Sequence, residues 1–326
     1  MRTWLERVWF AGGWGGFLLR PLSALFAVIV SVRRLAYRRG WLRVHTVGRP
    51  VIVIGNLTVG GSGKTPLVVW LANALVARGV RVGIVSRGYG GTATEPVEVR
   101  PDSDPALVGD EPLLLARRTS ARIVVGRDRV AAARRLAADV DLIVADDGLQ
   151  HYRLARDLEV AIVDGRRRFG NGRLLPAGPL REPVSRLQSV AFVVANGGAA
   201  TGGEIPMRLE PDAVVGLADG ARSPLGAYAG RRVHAVAGIG DPARFFATLR
   251  AAGVEPLEHP LPDHARLAAS MVSFGDDLPV LMTEKDAVKC QRFPLARLGY
   301  VEVSAQLEPI AGEALLTRAL ALLPRR

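Results

Sequence analysis

The stretch Val51-Ile-Val-Ile-Gly-Asn-Leu-Thr-Val-Gly-Gly-Ser-Gly-Lys-Thr-Pro66 constrains the fold more than any other part of this sequence. Four β-branched residues, Val51 to Ile54, predict a short buried strand. A loop with Gly55, Gly60, Gly61 and Gly63 follows, and Lys64, Thr65 and Pro66 open an apolar, glycine-free segment that ends at Gly79. Strand, glycine loop and helix in that order form a cradle in which backbone N–H groups and the helix N-terminus face phosphate oxygens. Thr58, Val59, Gly60, Gly61, Ser62 and Gly63, with Lys64 and Thr65, are therefore the expected triphosphate site. Lys64 supplies a point charge for the β/γ-phosphates, and the Thr65 hydroxyl is suited to Mg²⁺. Pro66 fits the first helical turn. Thr58 stands where the general pattern has glycine, and the alternative reading is a glycine-rich turn without a ligand.

Composition sharpens this reading. The chain has 40 arginines and only 3 lysines, Lys64, Lys285 and Lys289, so its lysines stand where a compact charge is wanted. A single cysteine, Cys290, rules out an internal disulfide and a cysteine-rich zinc site. The formal net charge of +12 points to polyanionic partners. Nucleic acid is not expected, because basic residues interleaved with aromatics occur only at the N-terminus. There Trp4, Trp9, Phe10, Trp14 and Phe17 precede an apolar run from Leu22 to Val32, followed by Arg33, Arg34, Arg38, Arg39 and Arg43. The run is shorter than the ~20 residues of a spanning helix. Aromatics on one side and arginines on the other predict a helix lying in a membrane interface, with a core helix or a true span as alternatives.

From Val51 onward the pattern alternates. Strand-like runs at Val51–Ile54, Val82–Val85, Ile123–Val125, Leu142–Ala145, Val160–Val163 and Ala191–Ala195 are separated by helical runs such as Leu67–Arg78, Pro112–Arg118 and Arg129–Ala138. This rhythm predicts an α/β fold: a P-loop NTPase-like, mainly parallel sheet flanked by helices, with ligands beyond the strands' carboxyl ends. A second, smaller α/β unit is expected from the strand Val233–Ala237, the helix Pro242–Ala252 and the strand Val280–Thr283. The implied organisation is an N-terminal helical segment over 1–45, a kinase-like core over 46–203, a linker over 204–230 with a short strand at Met207–Leu209, and a C-terminal domain over 231–326. The last helix is expected to pack back on the core.

Several polar clusters fall at strand ends. Asp146 and Asp147 close a buried strand, where a P-loop protein supplies its second Mg²⁺ contact; an Asp turn former is the alternative. Ser86-Arg87-Gly88-Tyr89 places Arg87 and Tyr89 at a rim, or is only a turn. Asp110, ahead of a helix, is either its N-cap or a carboxylate that accepts a proton from an attacking hydroxyl. Arg127 and Arg129 either contact phosphate or are solvated. Glu182 is a lone acid in a Gly/Pro-rich loop. His264 either follows a helix cap or orients a catalytic carboxylate. Lys285 and Lys289 lie four residues apart beyond a strand, on a solvated helix or at the site.

Together these stretches resemble one family, the tetraacyldisaccharide 4'-kinases, membrane-associated lipid A kinases of Gram-negative bacteria. The resemblance spans nearly the whole chain and rests on Gly55 to Pro66, Ser86 to Gly90, Gly109 to Pro112, Asp146 to Arg153, Asp164 to Gly172, Leu175 to Glu182, Gly238 to Gly240, Asp263-His264 and Thr283 to Lys289. Thr58 is what this family shows. The resemblance implies transfer of the ATP γ-phosphate to the 4'-hydroxyl of a tetraacylated glucosamine disaccharide 1-phosphate, giving lipid IVA. It also implies Mg²⁺ and a site at the cytoplasmic face of the inner membrane, with no obligate protein partner. Carried over, Lys64 and Thr65 serve triphosphate and metal, Asp110 paired with His264 is the base, and Asp146, Asp147 and Glu182 surround metal and γ-phosphate. Arg87, Tyr89, Gln150 and His151 are expected on the acceptor side. The rival class is a membrane-associated regulatory or partitioning ATPase, which carries a lysine where this chain has Val59.

Overall fold

The protein is described from a computed structural model covering residues 4–10, 15–263, 265–290, 293 and 296–324. Three helices lead: α1 (Trp4–Phe10), α2 (Gly15–Leu18) and α3 (Arg20–Arg38). Strand β1 (Val51–Gly55) then runs through the glycine loop into α4 (Lys64–Val76). It is followed by β2 (Val82–Ser86), β3 (Val97–Val99), α5 (Pro105–Val108), α6 (Asp110–Arg118), β4 (Arg122–Val125), α7 (Arg129–Ala137), β5 (Leu142–Asp146), β6 (Leu158–Asp164) and β7 (Phe192–Asn196). The second half holds β8 (Ile205–Gly216), β9 (Arg222–Ser223), β10 (Arg232–Ala237), α8 (Pro242–Ala251), β11 (Glu255–Pro260), β12 (Val280–Thr283), α9 (Glu284–Ala287), β13 (Leu298–Leu307) and α10 (Pro309–Leu320).

All strands belong to a single 13-stranded sheet ordered β11-β10-β12-β13-β8-β7-β6-β1-β5-β2-β4-β3, with β9 alongside β8. The first lobe is parallel from β7 through β4 and has only its edge strand β3 reversed. Its central strands β1, β2 and β5 are buried along their whole length, as a sheet covered on both faces requires. Helices α4, α6 and α10 pack one face, so the last helix does return to the core, and α7 packs the other.

The segment expected as a linker is instead the longest strand of the sheet. β8 has 12 residues; its start pairs in parallel with β7, and its whole length from Met207 to Gly216 pairs antiparallel with β13. Pro206 and Pro211 hide this strand from pattern reading, since proline argues against a central strand. Pro211 is tolerated because it lies at the register shift beside Val303, in the two-stranded middle of the ribbon. β11, also unexpected, carries Pro256 and Pro260 and forms the sheet's edge, where proline costs least.

The ribbon has a consequence for function. β13 runs back along β8, opposite to the first lobe, and β12, β10 and β11, parallel to β13, lie at the far end of β8. The carboxyl ends of both strand sets therefore face each other across one cleft.

Arg118, at the end of α6, ties the first lobe to this ribbon. Its guanidinium donates to both Glu284 carboxylate oxygens at 3.0 and 2.8 Å, pairs with Glu302 at 3.1 Å and reaches Ser304 Oγ at 3.2 Å. Burial pushes the Glu284 carboxyl up to about 7 despite Arg118. Arg118→Met strands these acids in a low-dielectric junction, and we expect it to cost about 3–5 kcal/mol of unfolding free energy. Denaturant titration checks this, and a loss below 1 kcal/mol refutes the junction's role.

Candidate active site

The phosphate loop is built from both ends. Asn56, fully buried after β1, donates to Gly60 O at 3.4 Å, and its Oδ1 accepts from Lys64 Nζ at 3.2 Å. Asn196, at the end of β7, donates to Ser62 O at 2.9 Å and accepts from Arg244 of α8 at 2.9 Å. Gly63 has φ +92°, and a Cβ there would meet Asn196 Nδ2 at 2.2 Å, so only glycine fits. Thr58 needs no such freedom, because it bridges Leu180 in extended conformation and the neighbouring Val59 N–H donates to Pro179 O at 2.8 Å. These two residues brace the loop's first half.

Two acids at the end of β5 face this loop with different protonation. Asp146 is buried; its Oδ2 accepts from Ser86 Oγ at 3.1 Å, and its Oδ1 has no hydrogen-bond partner among the described residues. Burial, then the charges of Glu111 and Asp147, push its carboxyl up to about 7. Burial would raise Asp147 too, but Lys64 at 3.7 Å and Arg181 at 3.0 Å hold it below the usual carboxylate range. Asp147 also takes a left-handed backbone, φ +48°, which aspartate tolerates. Arg129, buried at the start of α7, clamps its carbonyl at 2.6 Å. Arg129 is thus buried and braced, not solvated, and it lines the cavity between the lobes.

Glu182 is not brought to the same place. Its carboxylate is buried and accepts from Gln150 Nε2 at 3.1 Å and from the Tyr152 hydroxyl, with Arg186 at 3.8 Å. It holds Gln150, which also donates to Asn56 O at 3.1 Å, and so acts on the site from behind.

Asp110 is not the N-cap of α6. Gly109 takes that position at φ +89°, and Asp110 lies in the first turn with its carboxylate 3.5 Å from Lys289. Lys289 in turn lies 3.2 Å from the fully buried Asp286, and Lys285 lies 3.1 Å from Glu111 and 3.5 Å from Asp263. The two lysines are therefore mostly buried at the junction of the lobes and do not face solvent. The turn at Asp263 starts no helix, so the cap reading there does not apply. His264 lies outside the described residues.

Between the lobes is a cavity of about 970 Å³ lined by the loop from Val59 to Thr65, by Asp146 and Asp147, and by Asp263 and Lys285 of the second lobe. Arg87, Tyr89, Gln150 and His151 all line it, as does Arg127. Burial and the neighbouring Arg129, Arg156 and Arg153 lower His151 to about 4, so it is neutral at pH 7. Glu111, and not Asp110, is the lining residue at the start of α6 among the described residues. Sequence reasoning missed Glu111, Asn56, Asn196 and Arg244. A polar residue ending an apolar strand was the available signal for Asn196; nothing local marked Arg244 or Glu111.

A phosphate loop with its lysine, two acids at a neighbouring strand end and a second lobe across the cleft define a P-loop phosphotransferase. The chain belongs to the family described as tetraacyldisaccharide-1-P 4'-kinase, whose model matches residues 16–321. It is 52% identical over 314 residues to the tetraacyldisaccharide 4'-kinase of Alkalilimnicola ehrlichii, covering 96% of this chain and 94% of that one. It is 50% identical to the enzyme of the same name from Nitrosococcus oceani, covering 95% and 93%. Its fold is similar to the crystal structure of the "apo" form of LpxK from Aquifex aeolicus in complex with ATP, with TM-score 0.81 and 28% identity over 95% of this chain and 99% of that one. The regulatory-ATPase alternative falls with this membership.

The raised Asp146 carboxyl has a measurable sign. The folded protein keeps this proton up to about pH 7, whereas the unfolded chain releases it near 3.9. Its stabilising contribution is complete below the unfolded value and is lost as pH rises to about 7. Asp146→Asn, which cannot ionise, should therefore gain thermal stability relative to wild type between pH 5 and 7 and no more above that. A difference independent of pH would show that Asp146 is ionised throughout.

Proposed function

We propose that the cavity transfers a phosphoryl group with Asp110 as proton acceptor, Thr65 and Asp146 as the Mg²⁺ site, and α3 as the contact to the membrane. The chain is a kinase of lipid A biosynthesis that moves the γ-phosphate of ATP to the 4'-hydroxyl of tetraacyldisaccharide 1-phosphate, giving lipid IVA. The observation that carries this reading is the pairing of the phosphate loop with a buried acid whose Oδ1 has no hydrogen-bond partner among the described residues. Such an oxygen, with Thr65 lining the same cavity, suits a hard cation bound mainly by substrate phosphates. Magnesium held there would offset charge on the transferring phosphoryl group.

The chain's own residues do the rest. Loop N–H groups and Lys64 hold the triphosphate, and Asp147 with Asn56 keeps the lysine aimed. Arg87, Tyr89, Gln150 and His151 line the cavity on the side left for a sugar. Asp110, one residue from the lining Glu111, accepts the acceptor hydroxyl's proton when the lobes close over the ribbon, with His264 as its partner. Purified protein with Mg-ATP and the lipid disaccharide 1-phosphate should yield the bisphosphate; no product in either detergent or vesicles overturns the assignment. Asp110→Asn should lower kcat by about 10²–10⁴-fold with ATP affinity unchanged. A near wild-type kcat ends the base reading.

For the membrane, the helical segment is specific. Among the described residues no helix is long and apolar enough to cross a bilayer. On α3, Leu22, Leu25, Val28, Ile29, Val32 and Leu35 are exposed at helical spacing, and Ala36 is the helix's buried residue. Its other side is tied down through Ser23 to Leu174 O at 2.8 Å, Arg33 to Gln150 O at 3.2 Å and Arg34 to Ser189 at 3.1 Å. Phe17 and Trp4 are exposed with the stripe, but Trp9 is buried and donates to Pro176 O at 2.9 Å, so it anchors the segment inward. Trp14 lies outside the described residues. An apolar stripe edged by arginines, held against the mouth of the cavity, suits the interface of an anionic bilayer. Replacing Leu22, Leu25, Ile29 and Val32 by serine should release the protein from sedimenting anionic vesicles while ATP binding persists. Undiminished sedimentation would assign the stripe another role.

A further inference from the structure

Each of the 3 lysines in this arginine-rich chain is placed at the cleft against carboxylates. Lys64 has its task at the phosphates; Lys289 has none so far. Its side chain is only 8% exposed, and its ammonium lies 3.2 Å from Asp286 Oδ1 and 3.5 Å from Asp110 Oδ2. Asp286 is itself immobilised. Its Oδ2 accepts from Gly238 N at 2.8 Å and from Thr283 Oγ1 at 2.6 Å, which joins the ends of β10 and β12. One buried acid suffices to neutralise a buried lysine, so the second contact, across the lobes to Asp110, is what a purely structural pair would not need.

We propose that Lys289 is a positioning residue for phosphoryl transfer, acting through Asp110. The inference rests on the reading of Asp110 as the proton acceptor. The chain of contacts runs from the Gly238 backbone through Asp286 and Lys289 to the Asp110 carboxylate, and it sets where that carboxylate sits relative to the second lobe. The ammonium is more compact than a guanidinium, which suits a lysine to this enclosed place between Asp286 and Asp110. Lys285 makes the matching link one turn earlier, between Glu111 and Asp263, so the start of α6 is registered against the second lobe at two points.

The test is a set of full-length variants assayed with Mg-ATP and the lipid disaccharide 1-phosphate in mixed micelles. Lys289→Met should lower kcat about 10–100-fold, the scale of a small misplacement of a catalytic group, with KM for ATP changed less than about twofold. In the Asp110→Asn background the same substitution should cost less than about threefold, because its target is already gone. Lys289→Arg should recover part of the loss. Because Lys289→Met leaves Asp286 buried without its cation, the paired variant Asp286→Asn with Lys289→Met is measured beside it and should show the same loss and the same non-additivity. An equal fold-loss in both Asp110 backgrounds, or a paired variant with wild-type kcat, overturns the proposal. The two readings fail separately. If Asp110→Asn alone keeps its kcat, the base assignment falls and this inference with it. If Asp110→Asn is impaired while Lys289→Met is not, only the role of Lys289 falls.

Discussion

Main-chain hydrogen bonding through the β8–β13 ribbon is the constraint on which the rest depends. A parallel sheet puts its ligand-binding loops at one end only, and a second parallel sheet joined to it edge to edge would present its loops on the same side. Here the join is antiparallel and offset along a strand of 12 residues, roughly 40 Å of chain. The loops of both lobes consequently meet across a cleft, and one cavity is lined from both sides, by Asp146 and Asp147 of the first lobe and by Asp263 and Thr283 of the second. The ribbon's middle is only two strands wide, with Pro211 and a register shift in it, so it is also where bending costs least.

Electrostatics distribute work along this cleft. On the phosphate-loop side, two adjacent acids are driven to different protonation, Asp146 by burial and Asp147 by Lys64 and Arg181. Environment, not residue type, separates their roles. At the lobe junction Arg118 pairs with Glu284 and Glu302, while Lys285 and Lys289 pair with acids from both lobes. Breaking one such buried pair leaves an uncompensated charge, which makes the relative placement of the lobes hard to alter by drift in single side chains.

The N-terminal helices are tied to this machinery. Trp9 and Ser23 hold the segment to the loop that also braces the phosphate site through Pro179 and Leu180. The loop from Asp164 to Glu182 therefore touches the apolar helices on one side and Val59 on the other. Its Arg167 donates to Gly61 O at 2.8 Å while its guanidinium lies over the Phe10 ring.

Much of this was written locally. Continuous β-branched runs specify buried parallel strands, and a glycine loop ending in Lys64-Thr65 points to a helix start suited to phosphate. The parallel core, the phosphate site, the acids after β5 and the arginine-flanked apolar helix followed from residue type and spacing alone. What required the tertiary structure was everything decided by distant partners. Pro206 and Pro211 made β8 look like a linker, because the strands that accommodate them lie outside the segment itself: Pro206 pairs with Ala195 of β7, and Pro211 with Val303 of β13, about ninety residues away. Trp9 carries the same interfacial signature as Trp4, yet one is buried because Pro176 O lies within reach and the other is not. Glu182, placed around the metal by the resemblance, is buried with its oxygens accepting from Gln150 and Tyr152. Asp110 looked like a cap until Lys289, from across the cleft, took its carboxylate. Local sequence encodes period and conformational freedom; which charge meets which is settled only when the chain closes on itself.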